Sequence, residues 1–264
     1  MPAAVADPPP AIGTERLYDE ITGSTATLAR LTDGADYTRP VPTCPDWTVR
    51  QLVTHVGRAH RWAAAMVAAH ATEPLPFREI PDGKLPADEG ERPGWLRAGA
   101  ARLVGTVGAA GDEPVWTHLG LGPARYWARR MAHETAVHRA DAQIALGERP
   151  RIDPAIAADG IGEWLGFLVT PGDGGDAPSL NALHGKVLHL HVTDDGVAGG
   201  EWLIRPGPDG VTVEPGHGKG DVAVRGPASD MLLVLMQRFP AGDPSIEVLG
   251  DAALLDALLA ETAF

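Results

Sequence analysis

The chain has little cysteine, little positive charge and no long apolar run, and each shortage excludes a class of protein. Its single cysteine, Cys44, excludes a framework of intrachain disulfides and is typical of a reducing compartment. Lysine and arginine number 22 against 35 aspartate and glutamate, so the formal net charge is −13. Such a chain lacks the basic surface that nucleic acids and anionic membranes require. No apolar run is long enough to span a bilayer.

Targeting and phosphate-binding signals are missing too. The first 13 residues, MPAAVADPPPAIG, contain neither the basic region nor the apolar segment of a secretory signal. We therefore expect a disordered, proline-rich leader and, by default, a cytoplasmic protein. The glycine-rich GHGKG at 216–220 lacks P-loop spacing and is predicted to be a turn. Cys44 stands directly before Pro45, where a packed thiol is favoured over a nucleophile.

Helical periodicity dominates the first 170 residues. Apolar residues recur every three or four positions and predict helices over 14–31 (capped by Thr14), from 46–47 onward, over 93–107, over 125–146 and over 154–169. The first four predict a four-helix bundle, the kind of fold that builds metal sites from inward-facing side chains. The proline-rich connection 71–94 is expected to be a surface loop near such a site. We assign this domain to residues 14–170.

A different periodicity follows the breaker cluster PGDGGDAP at 171–178, which predicts a domain boundary. Alternation at period two predicts strands over 186–194, 201–206, 210–215, 221–226 and within 246–251. Helices are predicted over 227–239, opening at Pro227, and over 251–260. Residues 179–264 are thus predicted to form an α+β domain on a mostly antiparallel sheet. His189 and His191 face one side of their strand, and a solvated face is favoured over a metal site because no third ligand accompanies them.

The helix predicted over 125–146 carries polar groups on its apolar stripe. Glu134, His138 and Asp141 follow one another at steps of one turn, on the side that should pack inward. Burying such groups costs several kcal/mol unless something compensates, and a shared metal ion would. Glu134 and His138 are four residues apart, so both can reach one ion. His133 lies about 140° around the helix from His138 and cannot join them.

His55 lies in the middle of the apolar seam of the second predicted helix and supplies the missing ligand. His55, Glu134 and His138 form a two-histidine, one-carboxylate set that leaves one zinc position open, as in catalytic sites. Zn²⁺ suits these ligands best, and Fe²⁺ and Mn²⁺ remain open. Asp141 is predicted to support His138 from behind or to act as an occasional fourth ligand. In the alternative, His55 is a core histidine and Glu134 pairs with Arg130 on a solvated face.

Two stretches of this half, TCPDWTVRQLVTHVGRAHRWAA (43–64) and WARRMAHETAVHRADA (127–142), resemble the mycothiol-dependent maleylpyruvate isomerase family. The N-terminal domain of that family has a DinB-like four-helix fold. The later stretches DVAVRGPASDMLLVLMQR and IEVLGDAALLDALL resemble its second domain, a sterol-carrier-protein-like α+β module. The resemblance implies that zinc is held by His55, Glu134 and His138, and that the thiol mycothiol is a cosubstrate.

The same resemblance implies that the second domain contributes a substrate-binding arginine. Arg238 is the nearest match and Arg225 a weaker one, since a guanidinium fork matches a carboxylate. In the alternative, Arg238 is an ordinary cation at a helix end.

The predicted function is that of a zinc-dependent, mycothiol-using enzyme acting on a small electrophile. A metal-bound thiol is deprotonated near neutral pH, and the thiolate is the nucleophile. In an isomerase, the thiolate would add to a cis double bond, allow rotation about the resulting single bond and leave again. In a thiol S-transferase, it would remain attached to the substrate. The sequence leaves both reactions open. Two further alternatives are a non-catalytic regulator that binds a metal or small molecule, and a zinc hydrolase, in which Glu134 would be unavailable as a base if it is a ligand.

Overall fold

The computed structural model describes residues 12–170, 183, 185–207 and 210–262. The chain divides into two compact units, with the division between Pro150 and Arg151. The leader up to residue 11 and the breaker cluster at 171–178 lie outside the described residues, so the predictions made for them remain predictions. Within the described ranges, no helix is both long enough and apolar enough to cross a membrane.

The first unit is a bundle of four helices, α1 (Thr14–Leu31), α2 (Val49–Ala68), α3 (Arg92–Ala110) and α4 (Tyr126–Ala145). Helices α1 and α2 each pack against both α3 and α4, which confirms the predicted four-helix bundle. The largest side chains buried between them are Leu17, Ile21, Leu28, Leu52, Met66, Leu96, Leu103 and Trp127. Their three- and four-residue spacing is the apolar periodicity seen in the sequence.

Two helix starts differ from prediction for local backbone reasons. Gly13, not Thr14, is the N-cap of α1, and Thr14 is its first helical residue. Helix α2 begins at Val49 rather than at 46–47 because Asp46 has a left-handed backbone, with φ of 66°. The helix is stabilised at its start by Gln51, whose Oε1 accepts a hydrogen bond from the backbone N–H of Thr48 at 2.7 Å.

The bundle also contains a hairpin that the sequence did not predict. Strand β1 (Pro114–Thr117) pairs antiparallel with β2 (Gly120–Pro123). The Trp116 backbone N–H donates to the carbonyl of Ala71 at 2.6 Å, which ties the hairpin to the segment after α2. The 71–94 connection includes two single-turn 3₁₀ helices, Phe77–Glu79 and Glu89–Glu91.

The second unit opens with α5 (Pro154–Val169), which packs against the helix α6 (Ala228–Leu235) and the strand β5 (Gly210–Pro215). The structure therefore divides the chain before α5, whereas the sequence placed the boundary after it, at 171–178. Helix α5 buries an apolar face within its own unit. Trp164, Ile156, Ile161 and Leu165 are buried on it.

A five-stranded sheet forms the rest of this unit. Its strands are β3 (Leu188–Val192), β4 (Glu201–Gly207), β5, β6 (Val222–Gly226) and β7 (Glu247–Leu249), in the order β5-β4-β3-β6-β7. Only β3 and β6 are parallel, so the predicted mostly antiparallel sheet is confirmed. Helix α6 ends earlier than predicted, because Gln237 has a left-handed backbone with φ of 59°. Helix α7 (Ala253–Glu261) closes the described chain.

The prediction of a solvated face on β3 is wrong at His189, whose residue is 5% exposed. The segment 216–220, predicted to be a simple turn, leaves β5 and continues to β6, which lies on the far side of β3 and β4. It lies over the face that carries His189, because a Cβ added to Gly220 would be 3.0 Å from the Cβ of His189.

Candidate metal centre

Helices α2 and α4 bring three of the predicted site residues together. The Nε2 of His55 lies 2.8 Å from Oε1 of Glu134, and the Nε2 of His138 lies 3.2 Å from the same oxygen. All three ligand atoms are within 4.8 Å of one another. The side chains of His55 and Glu134 are about one quarter exposed, 26% and 24%, while His138 is 11% exposed. The group is therefore mostly buried but open to solvent on the His55 side.

The two oxygens of Glu134 have different partners. Oε1 accepts from both histidines, and Oε2 accepts from Nη2 of Arg130 at 3.1 Å. The pair with Arg130 considered from the sequence thus exists, but not on a solvated face and not instead of the histidines. Burial raises the pKa of Glu134, but the charge of His138, the two histidine hydrogen bonds and the charge of Arg130 lower it further, to well below its ordinary value. Glu134 is a carboxylate at neutral pH.

Asp141 supports His138 from the side opposite Glu134. Its Oδ2 accepts from Nδ1 of His138 at 2.8 Å, and the carboxylate is fully buried. It is itself held by Thr43, whose Oγ1 donates to Oδ1 at 2.6 Å, and by Cys44, whose Sγ donates to Oδ2 at 3.3 Å. These bonds fix the ring of His138 so that Nε2 faces Glu134.

The pKa of His138 reflects both neighbours. Burial lowers it, but the charge of Glu134 and the hydrogen bonds to Asp141, Cys44 and Glu134 raise it to well above its ordinary value. With both ring nitrogens next to carboxylate oxygens, the imidazole is protonated at neutral pH in this arrangement. A metal ion that binds Nε2 must displace that proton.

Asp141 does not have the position of a fourth ligand in this set. It contacts Nδ1 of His138, whereas the set with His55 and Glu134 uses Nε2, and the two ring nitrogens point in different directions. A separate group of possible ligand atoms, Cys44, His138 and Asp141, also lies within 4.8 Å. Cys44 packs against the apolar cluster of the bundle, in line with the packed thiol favoured from the sequence.

Aromatic rings border the histidines, and sequence reasoning gave them no role in the site. The ring of Trp47 lies 4.9 Å from that of His55 and 5.8 Å from that of His138, between centroids. Phe77 lies 5.8 Å from His55, so the 71–94 connection is beside the site, as expected. Phe77 in turn contacts Trp62, which joins a wider cluster made of Trp116, His118, Tyr126 and Trp127. The position of Trp47 in the CPDWT stretch, directly before the helix that carries His55, is the sequence feature from which its place at the site could have been predicted.

The remaining predicted site residues lie elsewhere. Arg238 belongs to the second unit and follows α6, where its Nη1 donates to the carbonyl of Met236 at 2.7 Å, an interaction typical of a cation at a helix end. Arg225 pairs with Glu247 at 3.4 Å. The substrate role given to Arg238 stays a prediction. His133 is buried and is not part of the set formed by His55, Glu134 and His138.

Comparison with known proteins covers both units. The model of the mycothiol maleylpyruvate isomerase N-terminal domain matches residues 18–143, and that of the MDMPI C-terminal domain matches residues 155–257. The second match includes α5, in agreement with the division seen in the structure. No curated protein matches the chain.

Two solved structures have a similar fold. A crystal structure of the mycothiol-dependent maleylpyruvate isomerase is 15% identical, with a TM-score of 0.58, over 90% of this chain and 93% of that chain. A histidine-to-alanine mutant of that enzyme is 16% identical, with a TM-score of 0.55 and the same coverage. The likeness therefore extends through both units.

Proposed function

Because the chain belongs to the mycothiol-dependent maleylpyruvate isomerase family, we propose that it is an enzyme that uses mycothiol to act on a small electrophile at the centre formed by His55, Glu134 and His138. The observation that supports this most is the convergence of two imidazole nitrogens on one carboxylate oxygen, at 2.8 and 3.2 Å, in a partly open site. The proposal includes the cytoplasmic location suggested by the lone cysteine.

The donor set fits a zinc ion with an open coordination position, since three protein ligands of this type are typical of catalytic zinc sites. A zinc ion bound there would lower the pKa of a thiol in the open position, so that the thiolate is available at neutral pH.

The residues around the ligands have separable tasks. Asp141 orients His138, and Arg130 neutralises the second oxygen of Glu134 and keeps that side chain in place. The ring of Trp47 covers both histidines, and Phe77 borders His55. These rings exclude water from part of the site, which strengthens electrostatic interactions there.

Two outcomes of thiol addition fit the proposal. The sulfur forms a bond to an electrophilic alkene carbon, and the π electrons move to the activating carbonyl oxygen. In isomerisation the new single bond rotates, the electrons return and the S–C bond breaks, so thiol and substrate atoms are conserved. In S-transfer to an alkene the carbanion takes up a proton instead and the thioether remains. In S-transfer to an activated aromatic chloride the sulfur bonds to the ring carbon, the C–Cl bond breaks and chloride leaves.

Hydrolysis by metal-bound water is disfavoured by the geometry. A hydrolase of this kind needs a carboxylate free to accept a proton from water. Both oxygens of Glu134 are engaged, one by the histidines and one by Arg130. Asp141 is buried behind His138.

The test is turnover of maleylpyruvate, followed by the loss of its cis-enone absorbance, and of an aromatic chloride that forms a coloured thioether, each with and without mycothiol. We expect zinc- and mycothiol-dependent turnover that is abolished by His55→Ala. The matched control is His70→Ala, since His70 also pairs with a glutamate, Glu113, at 2.9 Å, but on the surface. Turnover that proceeds equally without mycothiol would refute the role of the thiol.

A further inference from the structure

The second unit contains another cluster of histidines around a glutamate. His191 of β3 and Glu201 of β4 are opposite each other in register, and His189 lies two residues before His191, so all three share one face of the sheet. His217 reaches them from the segment 216–220. The Nε2 of His189 and the Nδ1 of His217 lie 2.9 and 2.8 Å from Oε2 of Glu201, and the Nδ1 of His191 lies 3.8 Å from it.

The cluster has more imidazoles than a hydrogen-bonded pair requires. Its three rings lie 5.5 to 6.4 Å apart between centroids, and the ligand atoms of His189, Glu201 and His217 are within 4.8 Å of one another. Nitrogen and carboxylate donors at such separations are the ligand set of zinc and neighbouring divalent transition metals. Calcium and magnesium prefer sites made of oxygen.

The segment that carries His217 fits closely on the sheet. A Cβ on Gly218 would lie 2.5 Å from Cδ1 of Leu203, and one on Gly220 would lie 2.7 Å from the carbonyl oxygen of Val222 and 3.0 Å from Cβ of His189. Only glycine permits this approach at position 220, where backbone atoms are among the neighbours, whereas at position 218 the end of the Leu203 side chain can shift. The close fit of Gly220 brings the backbone onto the face that carries Glu201, and His217 with it.

We propose that His189, Glu201 and His217 form a second binding site for a divalent transition metal, with His191 within reach as a fourth ligand. The ion would fasten the segment 216–220 to strands β3 and β4. This inference does not depend on the function proposed for the bundle.

The experiment is a Zn²⁺ titration of the full-length protein after chelator treatment, in competition with a chromophoric chelator, and a parallel titration with Co²⁺ followed by its visible absorption. The test variants are His217→Ala, whose side chain is 78% exposed and dispensable for folding, and Glu201→Gln, which keeps the size of the side chain. His70→Ala is the control, because its pair with Glu113 has no third ligand in the candidate metal groups.

We expect wild type and His70→Ala to bind one more equivalent of Zn²⁺ than the two test variants do. If the variants still bind that equivalent, we expect their affinity for it to be at least about 100-fold lower. His55→Ala reports separately on the bundle site. If His55→Ala changes nothing while His217→Ala loses an equivalent, the inference stands and the metal of the proposed function fails. If His217→Ala and Glu201→Gln bind Zn²⁺ with wild-type stoichiometry and affinity, the inference is overturned and the cluster is a hydrogen-bonded network.

Discussion

The bundle and the sheet unit each place two imidazole nitrogens against one carboxylate oxygen, at 2.8 to 3.2 Å, yet they hold that arrangement differently. In the bundle, the ligands project from two packed helices, and Arg130 and Asp141 hold Glu134 and His138 from behind. In the sheet unit, one histidine comes from a surface segment and is largely exposed. Similar donor sets can therefore differ in preorganisation, which suits the first to chemistry and the second to fastening a segment.

The largest effect that would separate the two clusters is on turnover. His55→Ala removes one of three ligands and should abolish mycothiol-dependent turnover. We expect a loss of more than about 100-fold, because removing a metal ligand has a larger effect than removing a residue that orients one. His217→Ala should keep turnover near wild type. The measurement is kcat/KM in the presence of zinc. An equal loss in His217→Ala would show that the clusters are not independent in function.

Asp141→Asn should have the next largest effect, because it keeps the hydrogen bond to His138 but removes the charge behind it. We expect zinc affinity and turnover to fall about 10- to 100-fold. Asp36→Asn is a suitable control, since Asp36 is exposed and its carboxylate accepts from the neighbouring Thr38. Zinc competition titrations measure the loss, and circular dichroism verifies the fold. Unchanged zinc affinity would mean that the charge of Asp141 beside His138 does not contribute to metal binding.

Zinc should stabilise the sheet unit through its own cluster. At a free zinc concentration of about 100 times Kd, binding adds about 2.7 kcal/mol to the free energy of unfolding. Calorimetry of His55→Ala with and without zinc isolates this term, because the bundle site is then lost. Adding His217→Ala should remove the zinc-dependent rise in Tm. A rise that persists in the double variant would place the ion elsewhere.

The smallest effect concerns a second histidine of helix α2, whose ring contacts a threonine hydroxyl. His60 is fully buried, its Nε2 contacts Oγ1 of Thr135 at 2.8 Å, and burial together with the charge of Arg61 lowers its pKa to about 3. A depressed histidine pKa contributes stability that is present above the unfolded value of about 6.5 and is lost as the pH falls towards 3.

Between pH 7 and 6 this loss amounts to less than about 1 kcal/mol. His60→Gln cannot titrate, so its denaturant-measured stability should depend less steeply on pH than that of wild type over this range. Identical pH slopes in the two proteins would show that His60 is not held neutral by the bundle.

The part of the site that lies on helices could be predicted from the sequence. The three- and four-residue spacing of Glu134, His138 and Asp141 places them on one face of any regular helix. The position of His55 in the apolar seam of another predicted helix made it their candidate partner, and the family resemblance implied the same three ligands. The spacing does not specify what each oxygen contacts. Thus the sequence offered Arg130 and the histidines as alternative partners of Glu134, and the structure shows both at once.

The sheet cluster could not be predicted, because its members meet only through topology. Glu201 lies opposite His191 by strand register, and His217 reaches them because 216–220 lies over the face of the sheet. Neither relation follows from local periodicity. The hairpin β1–β2 was missed for another reason: its strands are four residues long and contain proline and glycine, which are unfavourable in strands.

The hydrogen-bonded row of Arg130, Glu134, His138 and Asp141 extends about 16 Å along α4 and sets a strict rule about chain length. Deleting or inserting one residue inside it would turn the remainder by about 100° and separate the ligands, and even seven added residues, which return the side chains to nearly the same face, would move them about 10 Å apart along the axis. The connection 71–94 is instead held at separate points, among them the contact of Phe77 with His55 and the carbonyl of Leu75, which accepts from Nε1 of Trp62 at 2.7 Å. Insertions and deletions should therefore be tolerated better between such points of the connection than between Arg130 and Asp141.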